Sequence, residues 1–226
     1  MPSEIIHTIT EVLKQTKEGG EISSTDSLTE KVLEQIGLFM PNGSLIHITR
    51  TERIDLAMRG VKEGASIADM VDLLTWKDFE GFVATILSAN GYRCVESYRR
   101  RGNSLIHGME IDVIGVKGNI IIAIDAKMWS IRSGKSSALK TAAEKQKKRT
   151  QELTKELVRL SEKMRTLVEK EYRLFPVLVT WLVEEVELHE GVPVVPVFKL
   201  NSFILDLDQY EDLVVSYSGH YSKMSD

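Results

Sequence analysis

Cysteine is almost absent from this sequence, since Cys94 is the single cysteine among 226 residues. One thiol excludes an intramolecular disulfide and a zinc site made of several thiolates. We therefore expect a reducing, cytoplasmic location. No apolar run approaches the roughly 20 residues of a membrane span. The start Met-Pro-Ser-Glu lacks the basic and apolar parts of a signal peptide, so we expect no membrane partner.

An excess of positive charge is also missing, because 29 Lys and Arg stand against 33 Asp and Glu, for a net charge of −4. The surface as a whole therefore does not indicate nucleic-acid binding. A basic face would have to be local. Two basic clusters could form one, namely Arg99, Arg100 and Arg101, and Lys145, Lys147, Lys148 and Arg149.

Residues 1–74 have the pattern of short helices. Ile5 to Leu13 form a helical stripe, and N-cap residues precede apolar segments at Ser27, Thr49 and Ser66. Residues 45–48 are predicted to be a short strand. We predict a compact helical or winged-helix-like module, which braces the next domain, contributes to a dimer contact or binds DNA.

Residues 75–215 are predicted to form an α/β domain with the order α-β-β-β-α-β-β. The predicted elements are a helix from Thr75 to Gly91, a strand from Tyr92 to Tyr98, a polar loop from Arg99 to Gly108, a hairpin, a helix from Ser136 to about Tyr172, and strands at Phe175–Val183, Val192–Val197 and Phe203–Leu207. Residues 216–226 are polar and are predicted to be a frayed tail.

The hairpin carries acidic residues inside apolar strands. Met109 to Gly115 and Ile120 to Lys127 flank a Gly-Asn turn at Gly118 and Asn119. Strand side chains alternate, so Asp125 and Lys127 share a face, as do Glu110 and Asp112. Bringing these charges together inside the protein costs several kcal/mol per ion unless something compensates. Mg²⁺ is a natural compensator because it takes carboxylate oxygens.

An Asp on one strand, followed by Asp-x-Lys on the next, resembles the PD-(D/E)xK nuclease superfamily, and in particular its archaeal restriction-endonuclease-like and Mrr-like members. The resemblance covers about residues 75–210. It implies a restriction-endonuclease-like core (α-β-β-β-α-β) and a metal-dependent DNA endonuclease that uses Mg²⁺, with Mn²⁺ as a substitute.

The resemblance also implies roles for individual residues. Asp112, Asp125 and the backbone carbonyl of Ala126 would hold the metal, and Lys127 would orient the attacking water or stabilise the transition state. Glu80, on the first helix of the domain, would lie at the metal or its water shell. Gln146 would approach the catalytic carboxylates or the DNA backbone. The two basic clusters would contact phosphates.

Each assignment has a plainer alternative. Asp125 and Lys127 could form an ordinary ion pair at a sheet edge, and Glu80 and Gln146 could occupy solvated helix faces. Glu110 could be an extra metal ligand, or it could lie one strand step away and contact solvent or a basic neighbour. Both basic clusters could simply be solvated.

Two other functions are compatible with the same pattern. One is a catalytically quiet DNA-binding or scaffold protein, which the complete Asp-Asp-Lys set disfavours because a fold alone does not require it. The other is a resolvase of branched DNA. Apolar residues that alternate by four and three along the long helix could pair two subunits into a homodimer: Leu153, Leu157, Leu160, Met164 and Leu167.

Overall fold

The computed structural model describes residues 2–23, 27–35, 45–102, 108–129, 134–165 and 167–222. The chain divides into two compact units, Met1–Phe82 and Val83–Asp226. The division falls inside a helix and not between residues 74 and 75. None of the described helices is long and apolar enough to cross a membrane.

The first unit consists of helices and a small β-ribbon. Its elements are α1 (Pro2–Gly19), β1 (Glu21–Ser23), α2 (Ser27–Glu34), β2 (Leu45–His47), α3 (Arg50–Lys62), α4 (Ile67–Leu73) and the start of α5 (Trp76–Ala89). Strands β1 and β2 pair antiparallel. The predicted strand at β2 is confirmed, whereas its partner β1 was not predicted.

Helix caps and one buried ion pair stabilise this unit. Thr49 forms a capping box with Glu52 at the start of α3, as the sequence predicts. Arg53 donates to Asp78 at 3.1 Å, and both side chains are almost fully buried. Arg53 also donates to the backbone carbonyls of Leu13 and Leu73. Its charge is therefore satisfied inside the unit, as a buried guanidinium requires.

The second unit contains a mixed sheet with helices. Its elements after α5 are β3 (Arg93–Arg100), β4 (Met109–Lys117), β5 (Ile120–Lys127), α6 (Lys135–Leu153), α7 (Leu157–Met164), β6 (Lys170–Thr180), β7 (Leu188–His189), β8 (Val192–Pro196), α8 (Val197–Leu205), a 3₁₀ helix (Leu207–Tyr210) and β9 (Tyr217–Tyr221). Within the described residues the strand order is β3-β4-β5-β6-β8-β7, and β9 also pairs with β6. The α/β class is confirmed.

The sheet is antiparallel on one side and parallel at its centre. The β4–β5 hairpin turns at Gly118, whose φ of +57° suits glycine. Strand β5 then runs parallel to β6, and β6 runs parallel to β8. The connection from β5 to β6 is made by α6 and α7, as a parallel crossover requires. The carboxyl end of β5 carries Asp125 and Lys127.

The predicted leucine seam is part of the core of the second unit. Leu153, Leu157, Leu160 and Leu167 are buried in one apolar cluster with residues of β3, β4, β5, β6 and β9, and Met164 packs against that cluster. The apolar residues therefore pack against the sheet of their own chain. The interpretation of this segment as a dimerisation seam is wrong.

Several predicted boundaries are also wrong. The predicted helix from Ser136 to Tyr172 is two helices, α6 and α7, and Tyr172 lies in β6. The segment Phe203–Leu207, predicted as a strand, ends α8 and begins the 3₁₀ helix.

The predicted frayed tail is a strand over much of its length. β9 pairs with β6 from Lys170↔Tyr221 to Leu174↔Tyr217. Burial alternates along β9, because Gly219 and Tyr221 are buried while Ser218 and His220 are exposed. Residues 223–226 lie outside the described part of the chain.

Candidate functional site

Asp112 bridges the two hairpin strands where their pairing ends. The recorded β4–β5 register runs from Lys117↔Ile120 to Val113↔Ile124. Just beyond it, Asp112 Oδ2 accepts a hydrogen bond of 2.8 Å from the backbone N–H of Ala126. The carboxylate is thereby held beside the end of β5, which carries Asp125.

Asp125 is 2% exposed, and each of its oxygens contacts a cation. Oδ2 lies 2.6 Å from Lys127 Nζ, and Oδ1 accepts a hydrogen bond of 3.0 Å from Arg149. The prediction that Asp125 and Lys127 share a strand face is confirmed. Arg149 reaches the same carboxylate from α6, and its side chain is 32% exposed.

The two carboxylates interact although their partners differ. Burial and the negative charge of Asp125 together raise the pKa of Asp112 from 3.8 to about 6. The Ala126 N–H, Lys127 and Arg149 oppose that rise. The site therefore places two carboxylates and two cationic side chains together, and the charged form of Asp112 is disfavoured there.

Gln146 is fully buried on α6, one helical turn before Arg149. Its Nε2 donates to the carbonyl of Ala123 at 2.8 Å, which attaches the side chain to β5 two residues before Asp125. That contact fixes the amide orientation, because only the nitrogen can donate to a carbonyl. The Oε1 atom is buried with no hydrogen-bond partner among the described residues. The predicted approach of Gln146 to the catalytic carboxylates or the DNA backbone stays a prediction, since the contact present is with the backbone of β5.

Glu80 and Glu110 occupy different environments. Glu80 is 5% exposed and belongs to the first unit, so its predicted place at the metal stays a prediction. Glu110 lies on β4 and forms an ion pair with Arg99 at 2.7 Å, with both side chains partly exposed. Of the two alternatives for Glu110, the contact with a basic neighbour is the one present.

Two of the three arginines in the first basic cluster form ion pairs within the protein. Arg99 and Arg100 end β3, whereas the sequence predicted a loop there. Arg100 is paired with Glu152 at 2.6 Å and with Glu156 at 3.0 Å, and its side chain is 10% exposed. A phosphate contact by Arg100 would require these two pairs to break. Arg101 is exposed.

The residues of the second basic cluster have different surroundings. Arg149 contacts Asp125, whereas Lys147 pairs with Glu190 in the turn between β7 and β8 at 3.1 Å. Lys145 and Lys148 are exposed on α6. Within this cluster they are the residues best placed to meet an external anion.

Sequence reasoning missed two features. Arg149 was predicted to contact phosphate, and its contact with Asp125 was not predicted. Its position one turn after Gln146 was the available signal, because residues three apart lie on neighbouring parts of a helix face. A second cluster, formed by Glu144, His189 and Glu190, has its candidate ligand atoms within 4.8 Å of one another. No motif joins these residues in the sequence.

Comparisons with known proteins do not assign a family. No protein-family model matches the sequence. A protein of Archaeoglobus fulgidus described as uncharacterized is 28% identical over 137 residues, which are 61% of this chain and 95% of that protein. The crystal structure of protein VC1899 from Vibrio cholerae has a TM-score of 0.35 and 14% identity, over 94% of this chain and 51% of that chain. This chain thus spans about half of the VC1899 chain.

Proposed function

We propose that this protein is a Mg²⁺-dependent DNA endonuclease, with Mn²⁺ as an alternative metal, built on a restriction-endonuclease-like core. The observation that carries the proposal is the meeting of Asp112, Asp125 and Lys127 at the open end of the β4–β5 hairpin. The element order α5-β3-β4-β5-α6-β6, with α7 inserted, supports it. The plain ion-pair alternative explains Asp125 and Lys127 but gives no reason for Asp112 beside them.

The donor set fits a hard divalent cation. Asp112 and Asp125 offer carboxylate oxygens, and Ala126, whose N–H donates to Asp112, would offer its backbone carbonyl. The raised pKa of Asp112 shows that burial and the nearby Asp125 disfavour its charged form, which a bound cation would favour. The buried Oε1 of Gln146 is a further oxygen that needs a partner, such as a water bound to the metal. A bound Mg²⁺ would polarise the phosphodiester and make a coordinated water more acidic.

The residues of the chain would supply positioning and charge. Lys127, held beside Asp125, can orient the attacking water and neutralise charge that develops on the phosphate oxygens. The Ala126 N–H holds Asp112 in one rotamer, which fixes the direction of its free oxygen. Gln146 fixes α6 to β5 and thereby sets the position of Arg149. Exposed Arg101, Lys145 and Lys148 are available for the DNA backbone.

A quiet DNA-binding protein and a branched-DNA resolvase remain the alternatives to this proposal. The leucine seam no longer supports a two-subunit resolvase, since its residues are buried in their own unit. The decisive experiment incubates the purified chain with labelled linear, flapped and four-way DNA in Mg²⁺, Mn²⁺ or EDTA. We expect cleavage only with a metal. Cleavage confined to the four-way DNA would favour the resolvase, and binding without cleavage in any metal would favour the quiet DNA-binding protein.

A further inference from the structure

Both oxygens of Asp125 are occupied by cationic side chains of the protein itself. Lys127 takes Oδ2 at 2.6 Å and Arg149 takes Oδ1 at 3.0 Å. Each oxygen has a second lone pair that a metal could use, but the metal would then lie close to one of these cationic groups, and their mutual repulsion would favour the departure of that group. This consideration rests on the proposed function, because it takes Asp125 to be a metal ligand.

Arg149 is the more exchangeable of the two partners. Lys127 belongs to the same strand as Asp125, two residues away and on the same face, so the backbone keeps its ammonium near the carboxylate. Arg149 comes from α6, makes the longer contact and has the more exposed side chain, 32% against 22% for Lys127. A long guanidinium side chain can rotate toward solvent without moving the helix.

A displaced Arg149 would remain beside the metal. Its helix is attached to β5 by the bond from Gln146 to Ala123, so the side chain can move while its base stays fixed. Guanidinium groups bind phosphate oxygens well, often through two parallel hydrogen bonds. The same side chain can thus serve the carboxylate when the metal is absent and the phosphodiester when the metal is present.

We propose that Arg149 is an exchange residue: it neutralises Asp125 in the metal-free protein, leaves when the metal binds, and then contacts the phosphate of the DNA strand to be cut. Metal binding and DNA binding would consequently be coupled, since the metal releases a phosphate ligand. A residue that only contacted DNA, or only supported the fold, would not produce this coupling.

The first test measures Mn²⁺ affinity by calorimetry without DNA. We expect Arg149→Ala to bind Mn²⁺ more tightly than the unmodified protein, by about tenfold, since the metal no longer displaces a charge-assisted contact. Lys140→Ala is the matched control, because Lys140 is also exposed on α6 and its loss removes the same charge. An equal gain in Lys140→Ala would mean that overall charge, and not exchange, governs the affinity.

The second test measures the affinity for a labelled duplex in EDTA and in Ca²⁺, with intact DNA verified on a gel. We expect Arg149→Ala to weaken DNA binding several-fold in Ca²⁺ and to leave it nearly unchanged in EDTA, where Arg149 is held by Asp125. An equal loss in both conditions would overturn the exchange. Arg149→Met retains most of the apolar stem and replaces Arg149→Ala if the latter does not fold.

The two proposals fail in different ways. If Asp125→Asn binds Mn²⁺ as well as the unmodified protein, Asp125 is not a ligand, and both the proposed metal site and the exchange are refuted. If Asp125→Asn loses Mn²⁺ binding but Arg149→Ala binds no more tightly than the unmodified protein, only the exchange is refuted.

Discussion

Replacing Asp112 with Asn should stabilise the metal-free protein at neutral pH. The carboxylate lies on β4 just beyond its pairing with β5, and burial together with the negative charge of Asp125 raises its pKa from 3.8 to about 6. Its charged form is therefore less favourable in the folded chain than in the unfolded chain. Asn is uncharged and retains an oxygen that can accept the hydrogen bond from the Ala126 N–H.

The magnitude follows from the linkage between proton binding and folding. A rise of about two pKa units corresponds to about 3 kcal/mol at pH values above the folded pKa. Because the folded pKa is the higher one, the folded chain binds the proton more tightly. The unmodified protein should therefore lose stability as the pH rises from about 4 through about 6. Asp112→Asn should lack this part of the pH dependence.

Urea denaturation in EDTA between pH 4 and pH 8 measures the effect. We expect the gain in Asp112→Asn to approach about 3 kcal/mol at pH 7.5 and to shrink toward pH 4. Asp125→Asn is the contrasting variant. It should destabilise by about 2 kcal/mol, since Lys127 and Arg149 lose a buried anionic partner. An Asp112→Asn variant that is less stable at pH 7.5, or that retains the full pH dependence, would refute the reasoning.

Three further predictions concern the core, the basic residues and the thiol. Leu160→Ala should lower the free energy of unfolding in urea by about 2–5 kcal/mol without changing the mass measured by light scattering. Val158→Ala, at an exposed position, should change that free energy by less than about 0.5 kcal/mol. A change from dimer to monomer in Leu160→Ala would support the interpretation of this segment as a dimerisation seam. Arg100→Ala should destabilise the protein by about 1–3 kcal/mol, because Glu152 and Glu156 lose their partner. Arg101→Ala should leave the midpoint of urea denaturation unchanged. Equal midpoints in the two variants would show that the ion pairs of Arg100 contribute little to stability. Burial raises the pKa of the Cys94 thiol, so this thiol should be alkylated more slowly at pH 8 in the folded protein than in the urea-unfolded chain. Equal alkylation rates would contradict the buried environment of Cys94.

The hairpin and its charges could be predicted from sequence because the signals are local. The Gly118-Asn119 turn fixes the hairpin. The alternation of side chains then places Asp125 and Lys127 on one face whatever the rest of the fold. The contact from Asp112 to Ala126 depends on where the strands stop pairing, which no local pattern specifies.

The wrong predictions arose where one sequence pattern is compatible with two structures. Leucines spaced by three and four residues suit a coiled coil and equally a helix packed on a sheet. The composition of the last residues suggested a free tail, although Gly219 and Tyr221 alternate with polar neighbours as a strand requires. The partners of Arg100 and Arg149 come from distant elements, so charge clustering alone could not separate internal ion pairs from phosphate contacts.

Cleavage of a labelled duplex in Mg²⁺ or Mn²⁺ by matched single variants tests the metal site most directly. Asp112→Asn and Asp125→Asn should each reduce the rate by at least about a hundredfold while remaining folded by circular dichroism. Glu211→Gln removes a surface carboxylate paired with Arg173 and should retain the rate of the unmodified protein. Cleavage that persists at the full rate in the Asp112 and Asp125 variants would contradict the assignment of the β4–β5 hairpin as the catalytic metal site.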